Sequence, residues 1–351
     1  MKRFTTTILI ALTVLVLAAC SASNNTGANT GNSNAGASNT SAEAASTPAN
    51  EPATPTTVEI TDANGTVTVP VNPQNVVALD NRTFETLADW GIKLAAAPKL
   101  VMPEDSVYVT DESVQDIGNH AEPKLEIIAA VNPELVIVGQ RFSGYYEDIK
   151  KLVPNAAVIN LNIDVSAEDG SAGDVLSNGF KETTTTLGLI FDKNEEAAAL
   201  NARFDQALAD AKAAYIGTDT VMSVIVSAGN IGYSAPHTGR VWGPLYDIFG
   251  WNPSLEVEKS SADHQGDEIS VEAIAQSNPD WLLVLDRDAA ISTKEADFTP
   301  ATDVIENAPA LKNTTAITKG QIVYAPADTY TNESIQTFIE IFEGITAALK
   351  K

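Results

Sequence analysis

Two apolar runs end abruptly in arginine, Glu134-Leu-Val-Ile-Val-Gly-Gln-Arg141 and Asp280-Trp-Leu-Leu-Val-Leu-Asp-Arg287, and each follows an amphipathic stretch of the same design. Leu125-Glu-Ile-Ile-Ala-Ala-Val-Asn-Pro133 precedes the first and Val271-Glu-Ala-Ile-Ala-Gln-Ser-Asn-Pro279 the second. The unit helix, Asn-Pro, acidic residue, buried strand, arginine thus occurs twice, which predicts two similar lobes. Short runs of branched residues bounded by turn signals read as strands buried on both faces. In open parallel α/β sheets ligands bind beyond the carboxyl ends of such strands, so both arginines are expected to face one cleft.

The rest of the pattern supports this. Thr57-Val-Glu-Ile-Thr-Asp-Ala-Asn-Gly-Thr-Val-Thr-Val alternates polar and apolar positions around Asp62-Ala-Asn-Gly65, a β-hairpin signal. Val76–Leu79 is a first buried strand, followed by Asp80-Asn-Arg82 and a helix through Phe84, Leu87 and Trp90 that stops at Gly91. Strands are expected at Lys93–Ala97 and Ala157–Leu161, with a helix over Tyr145–Leu152. Ala172–Leu189 and Asn194–Tyr215 read as long helices. Val221–Val226 is a strand running into a glycine-bearing loop, Ser227–Tyr233. Gly239-Arg240 then precedes a helix ending at Phe249-Gly250, much as Arg82 precedes one ending at Trp90-Gly91, a second sign of duplication. Ile322–Tyr324 is a late strand and Ser334–Leu349 a closing amphipathic helix. Strands alternating with helices predict an α/β fold, two similar Rossmann-like lobes with parallel central sheets joined by a long helix. The boundaries are a first lobe over 58–171, an interlobe helix over 172–192 and a second lobe over 193–351.

Ahead of the lobes, Lys2 and Arg3, the apolar run Ile8–Leu17 and Leu17-Ala-Ala-Cys20 make a signal peptide over 1–19, too short in its apolar core to be a stable membrane anchor. The cysteine just after the cut resembles a bacterial lipobox, which implies lipidation of Cys20 and durable anchoring by several acyl chains. Cys20 is the single cysteine, so disulfides are excluded from the body. Residues 20–57 are almost free of large apolar side chains and read as a disordered tether spanning roughly 35 Å. The chain carries a net charge of −25, which argues against nucleic acid or an anionic membrane surface as a partner. An anionic ligand is still compatible, since screening acts over about 8 Å and a local cationic cluster outweighs distant carboxylates.

Only six arginines occur against fifteen lysines, so arginine is not used here as general surface charge. The planar, weakly hydrated guanidinium suits a partly desolvated anion. Aromatic residues stand beside the arginines: Phe142, Tyr145 and Tyr146 after Arg141, Tyr233 before Arg240, Trp242 and Tyr246 after it. Such rings would pack flat aromatic ligands or, equally, fill the core at helix starts. No nucleophile elbow, phosphate loop, dinucleotide-binding glycine pattern or His-Glu-x-x-His occurs, and His120, His237 and His264 lack ligand-like spacing. A hydrolase using Ser227 or Ser234 near His237 is the rival of another class.

Residues 58–351 resemble a class III solute-binding protein of an ABC importer, specifically the iron-siderophore lipoproteins of the catecholate and petrobactin branch. The likeness rests on the lipobox and tether, Glu85-Thr-Leu-Ala-Asp-Trp-Gly91, the two Asn-Pro units and the arginine placements. It implies that Arg141, Arg240 and Arg287 converge on a ferric catecholate; the residues themselves add Arg82 as a fourth candidate and Tyr145, Tyr233 and Trp242 as rings beside the arginines. Each guanidinium about 4 Å from a catecholate oxygen would contribute about 4 kcal/mol before desolvation. The alternative for these arginines is local pairing, Arg287 with Asp286 or Asp288, Arg141 with Glu147 and Arg82 with Asp80 or Glu85. His264 and Tyr330 match, with altered spacing, a histidine and tyrosine that complete the iron shell in some members. The resemblance further implies docking to permease subunits through Glu85 and Asp247, limited closure, a monomer, no cofactor and no bond broken in the ligand. Haem remains a rival ligand through two arginines with Tyr330 or His264, whereas cobalamin and neutral hydroxamates would not need three arginines. The expected location is the outer face of the cell membrane, or the periplasm of a double envelope.

Overall fold

The computed structural model describes residues 56–166, 171–215, 217–258 and 260–351, so the leader, Cys20 and nearly all of the tether lie outside the described residues. The hairpin forms as expected, β1 (Thr57–Asp62) antiparallel to β2 (Gly65–Pro70). The first lobe then runs β3 (Val76–Ala78), α1 (Phe84–Asp89), β4 (Leu94–Ala97), α2 (Val107–Thr110), β5 (Gln115–Asp116), α3 (Leu125–Ala130), β6 (Leu135–Val138), α4 (Tyr146–Leu152) and β7 (Ala157–Asn160). Its strands make one parallel sheet in the order β5-β4-β3-β6-β7. Two long helices follow, α5 (Ala172–Ile190) and α6 (Asn194–Ala214).

The second lobe contains β8 (Thr220–Ser227), β9 (Asn230–Tyr233), α7 (Gly243–Phe249), β10 (Asn252–Pro253), α8 (Val271–Ser277), β11 (Trp281–Asp286), α9 (Arg287–Ile291), α10 (Ala301–Asn307), α11 (Thr315–Lys319), β12 (Ile322–Tyr324) and α12 (Ile335–Leu349). Strands β10-β8-β11-β12 are parallel neighbours, and β9 pairs antiparallel with β8. Ser227–Tyr233, expected as a loop, is therefore mostly strand. Ala228 and Gly229 both take positive φ, 49° and 72°, and this two-residue turn folds the chain straight back onto β8.

The repeated Asn-Pro has a backbone cause. Asn132 and Asn278 both sit at φ 47°, in the left-handed region that asparagine tolerates, and the following proline cannot continue a helix. The acidic residue after it secures the neighbouring strand. Glu134 Oε2 accepts from Gln74 N at 2.8 Å, just ahead of β3, and Asp280 Oδ2 accepts from Thr220 N at 3.0 Å, at the start of β8. Each repeat therefore stops a helix and fixes strand register with the same two residues. The strand faces alternate: Leu135 and Ile137 of β6 join one hydrophobic cluster, Val136 and Val138 the other. On β11, Trp281, Leu283 and Leu285 oppose Leu282 and Val284 in the same way. Burying each such side chain contributes about 1.5–3 kcal/mol.

Helix α5 belongs to both lobes. Its amino-terminal half gives Leu176 and Phe180 to the second lobe's core, while Leu187 and Ile190 complete the first lobe's. A second join runs along the segment entering α12. Thr331 O accepts from Asn81 Nδ2 at 2.6 Å, and Gln336 bonds Thr86 Oγ1 at 3.0 Å and Asp89 Oδ2 at 3.0 Å. Glu85 is held there too, by Asn332 Nδ2 at 2.9 Å and by the Ser334 hydroxyl. Thr54–Lys351 accordingly forms a single compact unit.

At the crossing of α5 with α7, a Cβ on Gly173 would meet Pro244 O at 2.8 Å and Ile248 N at 2.9 Å. Gly173→Ala is expected to cost about 1–3 kcal/mol in denaturant unfolding, and an unchanged midpoint would refute this close contact. Asp80, completely buried just past the end of β3, supplies a pH test. Burial pushes its carboxyl up to about 6, against the pull of Arg82. The folded state thus holds this proton more tightly than the unfolded chain does. The associated stability is present below the unfolded value of 3.8 and is lost as pH rises through about 6. Asp80→Asn should remove that downward slope, changing the pH 4 to pH 7 difference in unfolding free energy by on the order of 3 kcal/mol relative to wild type. Parallel stability curves for the two proteins would contradict the assignment.

Candidate ligand-binding site

Both sheets reverse direction of growth at one point, in the first lobe between β3 and β6, in the second between β8 and β11. The strand ends at such switch points diverge and leave a crevice. Arg82 follows β3, Arg141 follows β6 and Arg287 follows β11, so three arginines stand at the two crevices. Arg240 comes from the loop between β9 and α7. That loop is tightly constrained: a Cβ on Gly239 would meet Ser234 Oγ at 2.4 Å and Ala235 O at 2.5 Å, and Val241 is held at φ 64°. A β-branched residue in the left-handed region is strained, which the packing around Arg240 must offset.

All four side chains meet around Tyr330 and Glu333, on the segment before α12. The guanidinium carbons of Arg141, Arg240 and Arg287 lie 5.1, 4.3 and 5.0 Å from the Tyr330 ring centroid. The Tyr330 carbonyl accepts from Arg141 Nη2 at 2.9 Å and Arg240 Nη2 at 3.2 Å. Glu333, 3 % exposed, accepts from Arg240 Nε at 2.6 Å and also from Arg240 Nη2. Its other oxygen accepts from Gln140 Nε2 at 2.6 Å and lies 3.7 Å from Arg82 Nη2. Arg82 also donates to Ile163 O at 3.0 Å, so this arginine braces the floor. Arg82, Gln140, Arg240 and Glu333 line one pocket with a volume of about 190 Å³.

Cations are crowded here. Burial and the neighbouring Arg240 lower the pKa of Arg141, opposed by Glu333 and Tyr330. Burial would raise Glu333, but Arg240, Arg82 and Arg141 outweigh it and hold the carboxyl below its usual range. Tyr330 behaves likewise: burial raises it, while a hydrogen bond from Arg287 and the fields of Arg240, Arg141 and Arg287 bring the phenol below its ordinary value. The Nε atoms of Arg82, Arg141 and Arg287 are buried without a hydrogen-bond partner. An anion with an aromatic or chelating oxygen set would relieve the repulsion and satisfy such donors.

Several expected contributors stand elsewhere. Tyr233 and Trp242 are not cleft rings. Both are essentially fully buried core residues, Tyr233 bonding Leu255 O at 2.9 Å, because β9 and the start of α7 turn them inward. Tyr145 is half-buried and ties its hydroxyl to His120 O at 2.8 Å. His264 lies on an exposed loop, 3.9 Å from Asp263, while Ala262 of the same loop lines the pocket. Asp247 pairs with His237 Nδ1 at 2.5 Å. Ser227 accepts from Arg287 Nη1 at 3.2 Å and Ser234 donates to Arg240 O at 3.5 Å, so neither serine is bonded to His237. Of the local pairings, Arg287 lies 3.8 Å from Asp288, whereas Arg141 bonds Tyr330 O and Arg82 takes its Asp80 bond through the backbone N. Glu333 and Gln140 were not anticipated. Glu333 lies 93 residues from Arg240 and 193 from Gln140, and no local spacing marks such a pair.

Relatives share the fold over most of the chain. The petrobactin-binding protein YclQ of Bacillus subtilis is 27% identical over all of both chains. Its crystal structure superposes with a TM-score of 0.69 at 26% identity, covering 84% of this chain and 99% of that one. The ferric-anguibactin-binding protein FatB of Vibrio anguillarum is 28% identical, covering 83% of this chain and 87% of its own. The catecholate-siderophore-binding protein VctP of Vibrio cholerae has a crystal structure with TM-score 0.67 and 25% identity, over 84% of this chain and 99% of that one. Residues 76–329, which hold both sheets and three of the four cleft arginines' strand ends along with the fourth arginine's loop, match the periplasmic binding protein family, and the chain belongs to that family.

Proposed function

We propose that this protein captures a ferric catecholate-type siderophore between its lobes and delivers it to an ABC permease for iron uptake. The observation that carries this reading is the convergence of Arg141, Arg240 and Arg287, from both lobes, on one tyrosine. Crowded, partly desolvated guanidiniums favour an anionic complex and hold little for a neutral ligand. The relatives' named ligands, petrobactin, ferric anguibactin and catecholate siderophores, agree. Tyr330, its phenol made more acidic by the arginines, is suited to reach an unfilled iron position, with His264 on the loop at the pocket's edge as its companion. The protein binds and releases without breaking a bond and needs no resident cofactor.

Delivery requires a membrane address and a docking face. Lipidation at Cys20 would hold the body at the outer face of the membrane through the tether. Glu85, set beside Asp105 and Asp328 in a pocket walled by Phe84 and Val107, suits an arginine side chain of a permease subunit, and Asp247 would serve the second lobe. The joins through α5 and the segment before α12 leave little freedom for hinge motion, so closure on the ligand is small.

The test is quenching of tryptophan and tyrosine fluorescence on titration with ferric bis- and tris-catecholates, a neutral ferric hydroxamate, haem and cobalamin. Selective submicromolar binding of catecholates is expected, weakened at least about a hundredfold in Arg141→Ala with Arg287→Ala, each charge-assisted contact contributing about 1.5–3 kcal/mol. Binding of haem or cobalamin with the double variant unaffected would overturn the assignment.

A further inference from the structure

Four guanidiniums at the cleft do not leave four free positive charges. Glu333 is ionised and buried among Arg82, Arg141 and Arg240, and Asp288, 8 % exposed at its side chain, lies 3.8 Å from Arg287. Asp80 accepts from the Arg82 backbone N at 3.1 Å and adds a further carboxyl beside that arginine. The compensation is not incidental. Glu333 takes four donors from two lobes, Arg240 and Gln140 by hydrogen bonds and Arg82 as an ion pair, and so consumes guanidinium edges that would otherwise face a ligand. Residual positive charge in the cleft is small, although its aromatic and hydrogen-bonding character is retained.

Resting on the ferric-catecholate reading above, we infer that Glu333 determines ligand specificity, tuning the cleft to ferric complexes of low net charge. Two catecholates around ferric iron leave one negative charge and three leave three, so the two classes differ by two charges at the same chemistry. The buried carboxylate repels the more highly charged complex more strongly. It also holds Arg240 and Gln140 in place for either complex. The two effects separate: loss of positioning weakens both complexes alike, whereas loss of the charge changes their ratio.

The experiment titrates the full chain with a tetradentate ferric bis-catecholate and a hexadentate ferric tris-catecholate, comparing wild type, Glu333→Gln and Glu333→Asp. Wild type is expected to bind the bis-catecholate at least as tightly as the tris-catecholate. Glu333→Gln should move the affinity ratio about tenfold toward the tris-catecholate, a charge effect reduced by salt. Glu333→Asp should keep the wild-type ratio even where both affinities fall. A wild-type preference for the tris-catecholate beyond tenfold would overturn the inference, even if Glu333→Gln failed to fold. So would equal weakening of both complexes in Glu333→Gln, and either result leaves the ferric-catecholate reading intact. Failure of wild type to bind either complex would instead remove that reading, and the inference with it.

Discussion

A carboxylate buried to 3 % exposure stays ionised only where positive charge surrounds it, and Glu333 meets that condition with guanidiniums contributed by both lobes. The dependence runs both ways. Arg82 and Arg240 could not be packed so close to Arg141 without a buried anion between them, and the Tyr330 carbonyl and ring complete what one carboxylate cannot. The cleft is therefore an electrostatic compromise, in which repulsion among cations is lowered enough to fold and left high enough to welcome an anion. Buried ion networks of this kind contribute less to stability than to holding one arrangement, because desolvation consumes much of their Coulomb energy.

Duplication explains why the compromise sits where it does. Each lobe carries an arginine at the point where its strand order reverses, and each carries a second arginine ahead of a short helix, Arg82 before α1 and Arg240 before α7. Two copies of one unit facing each other deliver four cations to one crevice. Glu333, the acid shared by Arg82 and Arg240, comes from outside the repeat, on the segment leading into α12.

The fold was legible because its signals are local. Asn132-Pro133 and Asn278-Pro279 announce helix ends through asparagine's tolerance of the left-handed region, and the uninterrupted apolar runs of β6 and β11 announce strands covered on both faces. The arginines were legible because they follow those strands. Side-chain direction was less so. Tyr233 and Trp242 are adjacent to Arg240 in sequence yet point into the core, since neighbours on a strand or at a helix start face different ways. Glu333 was invisible for the opposite reason: its partners are far away along the chain, and only the completed fold brings them together.

The bonds that stitch the segment before α12 to α1 span about 250 residues, from Asn81 to Thr331 and from Thr86 to Gln336. The entropy of closing such a loop grows only slowly with its length, so the finished structure loses little by it, whereas the route to that structure lengthens as contacts become more distant in sequence. The ligand cleft therefore stays incomplete until Tyr330 and Glu333, far along the chain from Arg82 and Arg141, have been added. A chain stopped before Tyr330 can form its first-lobe sheet, yet it holds Arg82 and Arg141 with neither the ring nor the carboxylate that tempers them. Recognition is in this sense a property of distant segments brought together and of no single stretch of the chain.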